Sequence, residues 1–100
     1  MTAPRYFALV YHVSGDYLER RATYRAVHLE LAWAAHRRGE LLLGGAFTDP
    51  ADTALLIWKC ADTAPIEAFV AADPYVRHGL VERYEIRDWK VVIADDPMPV

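Results

Sequence analysis

The sequence predicts an α+β domain of order β-α-β-β-α-β, a four-stranded antiparallel sheet with both helices on one face. Three observations predict it. Four segments rich in β-branched and aromatic residues stand at 5–13, 40–47, 53–60 and 81–93. A stretch without Gly or Pro, residues 16–38, separates the first two. A shorter helical pattern between Thr63 and Pro74 separates the last two.

Residues 5–13 alternate tightly and form the first strand. Ser14-Gly15-Asp16 is a turn, and Asp16 with Glu19 three residues later makes a capping-box-like start for the first helix. Tyr24, Val27, Leu31, Ala34 and Ala35 recur at helical spacing, and Arg37-Arg38-Gly39 ends the helix with cations in its last turn and Gly beyond. Gly44-Gly45 in strand two marks a bulge or a close approach to the backbone. Thr48-Asp49-Pro50-Ala51-Asp52 is a turn, and strand three carries Leu55, Leu56, Ile57 and Trp58 in succession. Thr63 caps the second helix, Pro65 fits its first turn, Ile66, Phe69 and Val70 are its apolar positions, and Pro74 stops it. After a compact segment at 75–80, strand four runs over 81–93. Its two halves have opposite apolar phase, which predicts a bulge near Arg87-Asp88 or a change of partners. This is the split βαβ, ferredoxin-like arrangement. We expect one domain over residues 1–95 and a short flexible tail at 96–100.

Composition limits what the chain does. A net charge of −3 with no large basic cluster disfavours nucleic acid as a partner, because phosphate binding needs a concentrated positive surface. No apolar run approaches the ~18–20 residues of a membrane span. Residues 1–5 run straight into a strand without a signal-peptide pattern, so a cytoplasmic location is expected. Cys60 has no partner for an internal disulfide and lies in an apolar strand, as a buried, inert thiol does. His12, His28, His36 and His78 show no metal-ligand spacing, and there is no Gly-rich phosphate loop, so neither a metal nor an organic cofactor is expected.

The sheet has two apolar faces. In strand one Tyr6, Ala8 and Val10 share one face and Phe7, Leu9 and Tyr11 the other, and strand three is similar. The helices cover one face only. A second copy of the chain is the simplest cover for the other, in a twofold homodimer packed sheet to sheet.

Two places carry candidate chemistry. His28 lies in the apolar stripe of the first helix with Arg25 three residues before it, and is either a satisfied core residue or one held against a cavity. Arg25 by itself reads as a solvated surface residue. Asp73-Pro74-Tyr75 ends the second helix, where Pro stops the helix and Asp73 is pushed towards an extended conformation. With both helices on one face, Asp73 is within reach of His28. A carboxylate that fixes an imidazole tautomer is the minimal kit for general acid–base catalysis.

Arg25-Ala26-Val27-His28-Leu29, the run Gly39-Glu40-Leu41-Leu42-Leu43-Gly44-Gly45, Ala72-Asp73-Pro74-Tyr75-Val76 with Gly79, and the closing Ile86-Arg87-Asp88-Trp89-Lys90-Val91 resemble the YciI-like family. The resemblance runs from Arg5 to Ile93. It implies the dimeric α+β barrel superfamily, a catalytic pair at His28 and Asp73, and substrate-binding roles for Arg25 and Tyr75. Many members have proline after the strand-two glycine, where this chain has Ala46-Phe47. The best understood members resemble lyases that eliminate chloride from chlorinated hydroxylated aromatics without a cofactor. The leading expectation is therefore a cofactor-independent lyase or isomerase acting on a small cyclic or aromatic hydroxylated metabolite. The alternatives are a non-catalytic small-molecule binding or accessory module and a cofactor-free oxygenase.

Overall fold

A computed structural model describes residues 4–95, and the expected tail lies outside them. The elements are β1 (Arg5–Val13), α1 (Tyr17–Arg37), β2 (Leu41–Ala46), β3 (Thr53–Cys60), α2 (Ala64–Ala72), α3 (Pro74–Arg77) and β4 (Val81–Trp89). The antiparallel sheet has the order β2-β3-β1-β4. Each βαβ unit is thus split by a strand running the other way, and both helical connections lie on one face.

Alternation in the central strands builds the core. Phe7, Leu9 and Tyr11 of β1 and Leu56 and Trp58 of β3 point to the helical side, where Ile66, Phe69 and Val70 of α2 and Tyr75 of α3 pack on them. Full burial of a Leu- or Phe-sized side chain is worth about 1.5–3 kcal/mol, so this stripe holds α2 to the sheet. Cys60 lies in the same core, and burial, then Glu40 and Asp62, push its thiol pKa up. The opposite face carries Ala8, Val10, Leu55 and Ile57, with Leu43 and Trp89 exposed at its two edges.

Several local expectations are corrected. β4 stops at Trp89, and its pairing with β1 is unbroken from Trp89 to Arg83. The irregularity lies at the other end, between His12 and Val13, so no bulge near Arg87-Asp88 resets the phase. Trp89 reaches the far face by ordinary alternation, and Val91 and Ile93 lie beyond the strand. Asp16 makes no side-chain cap on α1; its carboxylate accepts from the Ser14 hydroxyl at 2.6 Å instead. Thr63 does not cap α2 either, because its hydroxyl donates to Glu67 while the Asp62 carboxylate accepts from the Ala64 amide at 3.0 Å. The β2 irregularity falls between Leu41 and Leu43, one step before the glycines. Gly44 does meet a close neighbour: a Cβ there would sit 3.3 Å from Leu56 Cγ. Gly39, with φ of 81°, lets the chain leave α1 and turn into β2.

The first helix departs furthest from expectation. Tyr17 and Ala35 are buried and Tyr24 and Leu31 pack on the core, but Val27 is 53% exposed. A cavity lies between another part of α1 and the sheet, bordered on the helix by Arg21, Arg25, His28, Leu29, Ala32, Trp33 and His36, and Val27 is not among its lining residues.

Candidate active site

Asp73 is the centre of the site. Proline after it favours extended backbone, and Asp73 has φ −70° and ψ 119°, so α2 ends and α3 begins there. Its side chain turns back to accept from the Tyr75 amide at 3.0 Å, capping the short α3. Helix stop, helix cap and a fixed carboxylate thus come from three consecutive residues.

The carboxylate is fully buried and has no Lys or Arg partner among the described residues. A buried charge of this kind is tolerable only when donors surround it. His28 Nδ1–H donates to Oδ1 at 3.0 Å and lies 3.1 Å from Oδ2. The Tyr11 hydroxyl donates to Oδ2 at 2.8 Å, across 62 positions of sequence. Burial, followed by the facing Asp73 carboxylate, pushes the Tyr11 hydroxyl far above the usual tyrosine range, so it stays a donor. β1, α1 and α3 therefore meet at one side chain.

In the neutral ring the carboxylate selects the His28 tautomer that carries its proton on Nδ1 and leaves Nε2 with a lone pair. The Tyr75 ring stacks on the imidazole, centroids 4.0 Å apart and planes at 11°, and Phe69 meets it edge-on at 6.1 Å. Hydrogen bond and stacking together fix both the position and the plane of the ring. The His28 side chain is 15% exposed, and it borders a cavity of about 560 Å³ between α1 and the β2–β3 part of the sheet.

Both residues expected as a catalytic pair are in hydrogen-bond contact, and Arg25 and Tyr75 border the same cavity. Arg25 is exposed at its rim. Tyr75 is 2% exposed, and its hydroxyl has no hydrogen-bond partner among the described residues. Burial, then Tyr17, pushes that hydroxyl pKa up, while Arg25 and Arg21 pull it down. Three further residues were not anticipated. Tyr11 reads in sequence as a core aromatic, with no signal of its partner. Arg21 and His36 stand outside the candidate residues, yet both border the cavity, and His36 Nδ1–H donates to the Leu41 carbonyl at 2.7 Å. A signal existed for these two: positions 21, 25, 28, 32 and 36 form one helical stripe. Among the described residues no three of His, Cys, Asp or Glu are placed to hold a metal ion.

A model of the YCII-related domain matches residues 5–90. The chain belongs to the YCII-related domain family. Its fold is shared with 5-chloro-2-hydroxyhydroquinone dehydrochlorinase (TftG) from Burkholderia phenoliruptrix AC1100, solved in complex with 2,5-dihydroxybenzoquinone. That match has a TM-score of 0.72 and 19% identity, over 86% of this chain and 94% of that one. An antibiotic biosynthesis monooxygenase-like protein from Bacteriodes thetaiotaomicron VPI-5482 aligns with a TM-score of 0.63 and 17% identity, over 97% of each chain. At these identities the likeness is one of fold. No curated protein matches the chain. No helix among the described residues of this YCII-related domain is long and apolar enough to cross a membrane.

Proposed function

We propose that this YCII-related domain is a cofactor-independent enzyme of lyase or isomerase type, acting on a small cyclic or aromatic hydroxylated metabolite by His–Asp acid–base chemistry. The observation that carries the reading is the buried Asp73 carboxylate holding His28 Nδ1–H at the wall of a 560 Å³ cavity. A core histidine needs no such cavity, and cavities of this volume suit small molecules. His28 Nε2 takes a proton from the substrate, and Asp73 stabilises the imidazolium that forms. In an elimination, the electron pair left by that proton becomes the new double bond, and the leaving group departs with its own bonding pair. In an isomerisation, the imidazolium returns the proton to another carbon. Arg25 stabilises negative charge that develops on a substrate oxygen. Tyr75 acts through its ring, which holds the imidazole plane. The dehydrochlorination named for the structurally similar Burkholderia protein belongs to this reaction class.

Halide release from chlorinated hydroxyhydroquinones, together with solvent deuterium incorporation into a panel of hydroxylated cyclic ketones, tests the reading. His28→Gln and Asp73→Asn should each lower the rate by roughly 10²–10⁴-fold, the usual contribution of a positioned acid–base group. Because the two act as one unit, the double variant should fall little further. Ligand binding without turnover in the unaltered protein would make the chain a binding module instead.

We also infer a homodimer closed through the sheet face opposite the helices. Its support is the apolar surface there, with Leu43 64% and Trp89 44% exposed in the single chain.

A further inference from the structure

We propose that the cavity selects an anionic ligand, whose carboxylate or ionised enol or phenol sits against Arg21 and Arg25 and whose apolar body lies along Leu29 and Trp33. The proposal rests on reading this cavity as the substrate site and adds the charge class of the substrate. In a chain of net charge −3, no Asp or Glu among the described residues lines the cavity, whereas Arg21, Arg25, His28 and His36 do. Asp73, behind His28, is fully enclosed and taken up by three donors.

Arg21 and Arg25 are four residues apart and neighbours on one helix stripe. Neither faces a carboxylate among the described residues, although Arg5, Arg20, Arg38 and Arg83 each do. Arg21 lies over the Tyr17 ring, 5.7 Å from its centroid, a contact that holds the guanidinium at the cavity wall. A separate observation points the same way. Tyr75 lines the same cavity, and its buried hydroxyl has no hydrogen-bond partner among the described residues. A cleft of one sign with low-dielectric walls concentrates ions of the other sign, and two guanidinium forks then hold a planar anion by charge-assisted hydrogen bonds.

The test titrates the full chain with benzoate, 4-nitrophenolate and neutral benzyl alcohol at millimolar concentration and mildly alkaline pH, following the Trp33 indole and His28 ring resonances. At least one anion should bind about tenfold tighter than the alcohol, an advantage typical of charge-assisted contacts, and added salt should weaken the anion alone. Whichever anion is preferred identifies the group recognised. Arg21→Gln/Arg25→Gln should abolish the preference and spare the alcohol, while Arg37→Gln, outside the cavity, should leave both unchanged. Equal affinities, a preference that survives the double substitution, or no response to either anion would overturn the proposal. Binding is read here without turnover, so the two readings fail separately. An active enzyme indifferent to ligand charge removes the anion proposal, and a charge-selective cavity whose His28→Gln variant keeps full activity removes the acid–base reading.

Discussion

At the scale of single residues, Asp73 shows how a side chain is given two tasks by one backbone geometry. The extended conformation imposed by Pro74 that ends α2 also aims the carboxylate at the Tyr75 amide and at His28. Tyr11 completes the set, and its contribution is measurable. Tyr11→Phe keeps the ring and removes a donor to a buried carboxylate, so it should cost about 1–3 kcal/mol at neutral pH by urea unfolding. The pH dependence has a defined sign. The folded-state pKa of Tyr11 is raised, so folded chains keep a proton that unfolded chains release above about pH 10, and stability falls as pH rises past that point. The loss should be shallower in Tyr11→Phe. Equal slopes and equal neutral stability in the two proteins would mean that the Tyr11–Asp73 bond carries no weight. Sequence alone reveals Asp73-Pro74-Tyr75, because a pre-proline carboxylate is a local signal. Tyr11 is not legible that way, since a strand's alternation says which way the ring points and nothing of what its hydroxyl meets.

At the scale of elements, α1 is the informative case. With about 100° between successive residues, Tyr17, Tyr24, Leu31 and Ala35 form one stripe and Arg21, Arg25, Ala32 and His36 the next. His28 stands on the seam between them, one edge towards the core and the other towards the cavity. The first three strands and the ends of α1 are legible because turn residues and alternation mark them, whereas the end of β4 is not, since the apolar residues 91–93 continue past Trp89 with no such mark. Arg21 and His36 are not, because a polar stripe over a cavity has the same pattern as one facing solvent. Caps are equally ambiguous where two acceptors are adjacent, as Asp62 and Thr63 are. Asp62→Ala should lower thermal stability by about 0.5–2 kcal/mol, the usual cost of a lost cap, and Thr63→Ala by less. The reverse order in thermal melts would return the cap to Thr63.

At the scale of the whole molecule, the sheet order is legible from element order, whereas the partner of the outer face is not. A homodimer closed over Leu43 and Trp89 should give twice the chain mass by light scattering at micromolar concentration, and Leu43→Asp or Trp89→Asp should shift it towards the monomer. A monomer mass for the unaltered protein would leave that face without its proposed cover. The convergence of three elements on Asp73 has a consequence of its own. Strand, long helix and short helix each supply one donor to the same carboxylate, and none supplies two. The buried carboxylate is fully supplied with donors only when all three elements have docked, so loss of any one leaves it short of a partner. Heat should therefore undo the Asp73 cluster and the fold together, with the His28 ring resonance and the far-ultraviolet circular dichroism changing over one temperature range; a His28 change well below the main melt would show that the cluster loosens first.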